Sequence, residues 1–587
     1  MSDLNLFRYY QRLLPFGVGD ETKTTLQEIA DLLFTSPRHA RSLLSQMQHK
    51  AWLNWYPKAG RNQRSTLILN IDIHALKESL ALERIQLGKY EKALSILEED
   101  EVAFGRLLKT TSGASVQEGQ LNIQLTYKRM FERIVPHQLQ RSSERFLLRQ
   151  IYCCLVCSDY NGHIQPELAH HWRYDEHTYE WTFYLRPRLT FHNGNPIDAE
   201  TVVGLFAKLS SLEYYKKELA HVVNITTPNP LKVVFKLNRP DLGFAGLISG
   251  VKYGIQPVSQ VNVANNKLVI GSGPFSVVEH NESRLKLQAF DGYYACRVLT
   301  DLVTIWIVND EKMENPSLAA NTWQPQPAPV DDMCSHYIST PARAASSASK
   351  RSRVEDGCLF ALFNHHAKHK LSPAQRRYIS ELIQPELLAE VMRRENIVFG
   401  SIPAYNLLPT WKPVLRPFGE SLKLKLPKHI TIAGYNYTAL RRCARAIATQ
   451  LKGVGCKVDI VMYSYRDLSE KAKNGTLDET LVVTNINLDD NRHPSAFTNF
   501  FSNAVLYHTL GEQNAQWLDG QLEKVRALTP LEGYLNALEP IASTLISEYW
   551  IAPMFHHTQT LRFQGVLEDV ALTNWGWPDI RSVWSAD

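Results

Sequence analysis

Ser36-Pro37-Arg38-His39-Ala40-Arg41-Ser42-Leu43-Leu44-Ser45-Gln46-Met47-Gln48-His49 reads as one helix with two unlike faces. Ser36 offers an oxygen to the free N–H groups of a first turn, and Pro37 loses nothing at the first helical position, where no N–H is needed. Ala40, Leu43, Leu44 and Met47 recur at i, i+3, i+4 and i+7 and make an apolar stripe for a core. Arg38, His39, Arg41, Ser42, Ser45 and Gln46 fall on the other side, which holds guanidiniums, hydroxyls and an amide but no carboxylate.

The flanks give this helix a context. Residues 4–14 have helical apolar spacing and end against Pro15 and Gly17, and residues 26–33 form a second short helix opened by Thr24-Thr25. Phe34-Thr35 makes the turn into the third. Residues 52–56 and 65–69 are rich in aromatic and β-branched side chains and read as two strands around a glycine-containing basic loop, 57–64. A helix-turn-helix followed by a basic hairpin is the layout of a winged helix. From Leu32 to Ile71 there is no Asp or Glu, against Arg38, Arg41, Lys50, Lys58, Arg61 and Arg64. The expected partner of this segment is double-stranded DNA. Arg and Gln side chains of the third helix would read guanine and adenine edges in the major groove, and Lys58, Arg61 and Arg64 in the wing would meet phosphate or minor groove.

The whole chain has 587 residues, 44 % hydrophobic and 21 % charged, with a formal charge of +5. That length exceeds one core and calls for several folded domains. Asp3, Arg8 and Arg12 interrupt the apolar N-terminal residues, so no secretory signal is expected there, and no uncharged apolar stretch of about 18 residues is long enough to span a bilayer. A cytoplasmic protein with no membrane partner is expected. Eight thinly spread cysteines do not form a disulfide framework. Cys153, Cys154 and Cys157 lack a second ligand pair and read as buried residues on an apolar helix, and the histidine pairs lack companion acids or cysteines. No metal, no cofactor and no catalytic residue is therefore expected: nucleophile elbow, phosphate loop and dinucleotide fingerprint are all missing from the sequence, so the protein is not read as an enzyme.

Residues 73–109 are helical and mixed in charge, broken at Gly88 and Gly105, and 110–115 is a small-residue hinge. Beyond it strands at 121–125, 181–185, 233–237, 276–279, 285–290, 430–434, 458–463 and 481–484 alternate with helices, and 324–350 is a Pro-, Ala- and Ser-rich loop. The expected organisation is a winged-helix DNA-binding domain at 1–72, a helical connector at 73–117 and a mixed α/β domain at 118–587.

Two stretches of that last domain resemble the extracytoplasmic solute-binding proteins of oligopeptide and nickel uptake. One runs from Trp181-Thr182-Phe183-Tyr184-Leu185-Arg186-Pro187 through Phe191-His192-Asn193-Gly194-Asn195-Pro196 to Asp198-Ala199-Glu200. The other is Ile270-Gly271-Ser272-Gly273-Pro274-Phe275 with the hairpin ending in Phe290-Asp291-Gly292-Tyr293-Tyr294. The resemblance implies a periplasmic-binding-protein-like fold with lobe I at about 118–298 and 485–587 and lobe II at about 299–484, closing on a ligand by hinge motion. Joined to the winged helix, it is similar to the SgrR family of bacterial regulators. Thr25-Leu26, Glu28-Ile29-Ala30, Trp52-Leu53, Gly60-Arg61, Ala169-His170-His171-Trp172 and Gly576-Trp577 carry that similarity. Its best-known members sense sugar-phosphate stress and activate a small-RNA gene.

The resemblance nominates Tyr152, after the first-lobe helix, Asp489 and Asp490, where peptide-binding relatives place an acid, and Trp575 and Trp577 as ligand contacts. The family's Gly-Asp-Pro becomes Arg492-His493-Pro494 here, which speaks against a peptide amino terminus as ligand. The expected ligand is a small solute: a sugar phosphate, a sugar or a peptide. An alternative is a cytoplasmic solute or oligopeptide carrier whose N-terminal domain binds protein, and the sequence leaves a homodimer open.

Overall fold

The computed structural model describes residues 3–58, 63–86, 89–98, 100, 103–105, 107, 114–117, 119–127, 129–262, 268–307, 336–339, 349–397, 400–416, 424–564 and 567–585. The head is built from α1 (Asp3–Leu13), β1 (Thr22–Thr24), α2 (Leu26–Leu32), α3 (Pro37–His49), β2 (Leu53–Tyr56) and β3 (Ser65–Leu69). Local sequence sets each boundary. Thr25 caps α2 in a reciprocal box with Glu28, Ser36 Oγ accepts from the His39 N–H at 3.3 Å, and Phe34 turns the chain with a positive φ of 52°. The strands pair in the order β1-β3-β2, with Leu53 opposite Leu69 and Thr24 opposite Ser65. Tyr10 is fully buried and its hydroxyl donates to Ile71 O at 2.7 Å, which ties α1 to the end of the hairpin.

The connector is α4 (Ile73–Gln86), α5 (Tyr90–Ile96) and a turn of helix at 103–105, so Gly105 continues a helix rather than breaking one. Gly88 and most of the expected hinge lie outside the described residues; Ala114–Gln117 is already a strand. The connector docks on the body. Phe104 meets Trp306 edge to face with ring centroids 4.8 Å apart, and Glu91 pairs with Arg284 and, at 3.3 Å, with Lys286. Trp306 belongs to the same hydrophobic cluster as α1, α2 and α3, and its indole N–H donates to Gln124 at 2.7 Å.

Three sheets organise the body. A five-stranded sheet runs Phe275–His280, Arg284–Ala289, Thr300–Ile307, Gln120–Tyr127, Ala114–Gln117, with one parallel pair, Thr300–Ile307 against Gln120–Tyr127. A four-stranded antiparallel sheet runs Val222–Asn229, Lys232–Leu237, Glu180–Leu185, Ala169–Asp175. Trp181, Phe183 and Leu185 alternate into its core, and Asp198 caps the helix Ala199–Ser210 through a 2.8 Å bond from the Thr201 N–H. Among the described residues the third sheet has eight strands, with Ile551–Gln564, Gly357–Phe363, Leu481–Asn487, His429–Tyr435 and Lys457–Tyr463 as its spine.

Strand pairing corrects the lobe division drawn at 299 and 484. Thr300–Ile307 stays in the five-stranded sheet, whereas Ile551–Gln564 pairs with Gly357–Phe363 in the eight-stranded one. The helices Arg492–Phe501, Ala504–Leu528 and Tyr534–Ser547 bury Phe497, Leu518 and Leu538 against Leu362 and Val482. Burial, not nearness in sequence, assigns them to the second lobe. The expected loop at 324–350 also gives way in part: His336–Ser339 and Ser349–Val354 are strands, and 308–335 lies outside the described residues. Both flank the far half of Ile551–Gln564, whose backbone groups extend past Gly357–Phe363 and need partners. Cys153 and Cys154 are buried, yet they follow the end of the helix Ser142–Ile151 instead of lying on it. No helix of the described residues is long and apolar enough to cross a membrane.

Candidate functional site

The first site is the outer face of α3. Ala40, Leu43, Leu44 and Met47 are buried, so the helix is fixed to the head by the stripe read from the sequence. Arg38, Arg41, Ser42 and Ser45 are exposed. Neither arginine is in an ion pair among the described residues, so each guanidinium keeps its full donor set for a partner. Gln46 is half-buried and donates to Ser42 Oγ at 3.3 Å. His39 is less available, because its ring leans edge-on against Tyr9 of α1 at 6.1 Å.

In the hairpin, Lys58 is exposed, and Arg64 reaches Glu28 at 3.4 Å with both side chains well exposed, a pair that water and salt weaken. Arg61 lies outside the described residues. The structure adds a cation that sequence patterning passed over. Arg12, in the last turn of α1, donates to Leu33 O at 2.8 Å and stacks on Phe34, which is 83 % exposed in the turn before α3. A guanidinium and an exposed ring thus stand beside the N-terminus of α3. The available signal was the position of Arg12 in the last turn of the first helix.

The second site is a cleft between the lobes, about 200 Å³ in volume. Arg141, Arg145 and Lys252 enter it from the first lobe, and Tyr465, Lys473 and Asp489 from the second. Arg145 bridges the gap: its Nε donates to Asp489 Oδ1 at 2.7 Å and its Nη2 to Asn487 O at 2.9 Å. Lys252 pairs with Glu218 at 2.6 Å. Burial by itself would raise the Glu218 carboxyl, but Lys252, Ser502 and Tyr253 outweigh it and hold the group below the usual range, so it stays charged. Arg141 lies over the Tyr465 ring at 5.7 Å, and neither it nor Lys473 is in an ion pair among the described residues. The lining therefore holds four cations against one acid, and the carboxylates present answer only two of the four.

The nominated contacts separate. Asp489 lines the cleft, but its carboxylate is already engaged by Arg145 and by the Trp575 indole N–H at 2.7 Å. Trp575 is thus a support behind the acid. Asp490 turns away to accept the Asn574 N–H at 2.8 Å, and its carboxyl is pushed up to about 6 by desolvation and by the charge of Asp489. Tyr152 is a core residue, 1 % exposed, whose hydroxyl donates to Ile134 O at 3.1 Å. Trp577 is stacked on Phe146 at 5.2 Å inside the first lobe. Both stand beside matched motifs in the sequence, but the burial of a full-sized ring competes with display. The cations that do line the cleft were missed; a lone Lys252 among Val251, Tyr253 and Gly254 was the visible hint.

Known proteins share both parts. Residues 5–119 match the family model described as sugar transport-related sRNA regulator, N-terminal, and residues 163–323 match that of bacterial extracellular solute-binding proteins, family 5 middle. Over 593 aligned residues the chain is 28 % identical to a protein of Yersinia pestis named HTH-type transcriptional regulator SgrR, covering 100 % of this chain and 99 % of that one. A protein of the same name from Photorhabdus laumondii is 27 % identical over 595 residues, with the same coverage. Among solved structures, the oligopeptide-binding protein AppA of Bacillus subtilis in complex with a nonapeptide superposes with a TM-score of 0.62 at 15 % identity, over 80 % of this chain and 100 % of that one. NikA of Brucella suis in complex with Fe(III)-EDTA gives 0.59 at 13 %, over 79 % and 99 %. At that identity the likeness gives the fold of the body, a two-lobed solute-binding-protein fold.

Proposed function

We propose that this chain is a cytoplasmic transcriptional regulator of the SgrR kind that reads DNA with α3 and its hairpin and adjusts that reading to a small anionic solute held between the lobes, on which it does no chemistry. The observation that carries the proposal is the pairing of an exposed, acid-free helix face bearing Arg38 and Arg41 with a solute-receptor body docked to the same head. Arginines on such a face can fork onto guanine edges, while Lys58 and Arg64 provide phosphate contacts whose strength falls with salt.

The solute class follows from the cleft. Its unanswered cations, Arg141 and Lys473, favour an anion, and its about 200 Å³ favours a molecule of sugar-phosphate size over an extended peptide. A peptide amino terminus would compete for a carboxylate whose Oδ1 already takes Arg145 and Trp575, and Asp489 is the one acid among the described residues of the lining. The names of the relatives, which point to sugar transport and regulation, support the same choice. Solute can change DNA affinity only if it favours one arrangement of the protein over another. A chain of contacts runs from cleft to head: Ser142 lines the cleft, the adjacent Ser143 accepts from the Tyr127 hydroxyl at 2.7 Å, the strand Gln120–Tyr127 pairs with Thr300–Ile307, and Trp306 of that strand packs on Phe104 of the connector.

The test is an operator titration of the full chain, using the region upstream of its own gene, beside the Arg41→Ala variant. Binding by the parent that weakens and loses sequence preference in the variant supports the reading. Equal affinity and preference in both would refute it.

A further inference from the structure

The two lobes are joined by more than the cleft. Arg526, near the end of the second-lobe helix Ala504–Leu528, crosses to the first-lobe loop that follows the strand Lys232–Leu237, where its guanidinium meets Asp241 Oδ2 at 2.9 Å from Nη2 and 3.1 Å from Nε. His221 holds the same carboxylate oxygen at 2.9 Å, and Arg526 also donates to Glu218 O at 3.0 Å. The three side chains are 2 %, 0 % and 1 % exposed for Arg526, Asp241 and His221. A backbone bond from Leu242 N–H to Arg526 O at 3.0 Å runs alongside.

The surrounding contact is as tight as a core. A methyl group placed on Gly243 would sit 2.0 Å from the Tyr534 hydroxyl, and one on Gly246 would sit 2.3 Å from Leu531. Glycine is present where the faces leave no room for a Cβ. Interfaces between domains that part in ordinary use are polar and wet at their margins. This one is closely packed around buried charged groups, and the group of three is completed only when the lobes touch. Either partner left behind in a low-dielectric setting would be an unanswered charge, which is why such pairs resist separation when the surrounding packing is intact. The triad also reaches the cleft: Glu218, whose backbone accepts from Arg526, is held by Lys252 and Ser502, both of which line it.

We infer that Arg526, Asp241 and His221 form an interlobe latch, and that the body is closed before any solute arrives, so that solute acts on a receptor already shut. This rests only on the two-lobed fold and deepens the sensor reading by naming its resting state. Small-angle X-ray scattering of the full chain without solute or DNA decides it, beside Arg526→Met and the wedge variant Gly246→Leu. The expected result is a wild-type curve that fits the closed coordinates, with a larger radius of gyration and longer maximum dimension in both variants and circular dichroism retained. A solute-free wild type already more extended than the closed coordinates would overturn the inference, and so would folded variants whose curves superimpose on wild type. The wild-type curve is decisive even for a variant that does not fold. Because neither solute nor operator enters the measurement, its failure leaves the DNA-binding reading untouched, and a failed operator titration leaves the latch untouched.

Discussion

The third helix of the head and the cleft of the body do the same physical task, presenting cations to an anionic partner, and they are built in opposite ways. Arg38, Arg41, Ser42 and Ser45 lie within eight residues of one another, stay exposed, and take their direction from an apolar stripe on the same helix. Arg141, Arg145, Lys252 and Lys473 come from three separate segments and reach a common space only because two lobes meet. Among the described residues Arg38 and Arg41 of α3 are in no ion pair, while the cleft has half of its cations engaged by Asp489 and Glu218. The lesson is that a site written in one helix tolerates the loss of a cation as a loss of affinity alone, whereas a cleft site also loses stability.

That contrast is broken most easily at Arg145. Replacing it by Met leaves Asp489, 6 % exposed, with Trp575 as its chief remaining donor, and a buried carboxylate so exposed to imbalance costs about 3 kcal/mol of body stability. Thermal denaturation followed by tryptophan fluorescence should show a fall of several degrees; an unchanged midpoint would remove the asymmetry. A second body effect is pH-linked. Burial pushes the Glu355 carboxyl up to about 8, so the folded state prefers it protonated. A group raised in the fold contributes stability that is complete below the ordinary carboxylate range and is lost as pH climbs toward the raised value. Between about pH 6 and pH 8 the wild type should lose about 2 kcal/mol relative to Glu355→Gln, measured by urea denaturation at each pH. Parallel curves for the two proteins would place the carboxyl in the ordinary range.

On the head, Arg41→Ala should weaken operator binding by about 1.5 kcal/mol, roughly tenfold, and relax preference at one base pair while leaving the unfolding midpoint unchanged. A coupled loss of stability would make the two sites alike after all. The smallest effect is expected at Arg64. Its exposed pair with Glu28 contributes less than about 0.5 kcal/mol to folding, so Arg64→Ala should leave stability intact and lower the salt slope of operator binding by about one. A slope identical to wild type would take the hairpin out of the interface.

The same contrast explains what the sequence could tell. The winged helix was readable because helical period, Ser36-Pro37 capping and strand alternation act over a few residues, and α3 runs over Pro37–His49 with the stripe buried as read. The fold class of the body was readable through turn chemistry and alternation, and all eight strand readings beyond the connector fall on strands. The lobe division was not readable, because which sheet a strand such as Ile551–Gln564 joins depends on pairings across nearly two hundred residues. Nor was the solute site: Tyr152 and Trp577 look like display residues in sequence, and their large apolar area puts them in the core. Arg141 and Lys473 carry no local pattern, since a lone cation is exposed more often than not.

Isothermal titration and operator anisotropy on one preparation of the full chain address the link between the regions, with a sugar phosphate as the titrant and Arg141→Ala as the control. The sugar phosphate is expected to bind the wild type and shift its operator affinity, with both effects lost together in the variant. Binding of that solute with no change in operator affinity would contradict the link, for the cleft and the recognition helix would then be neighbours in one chain without energetic connection.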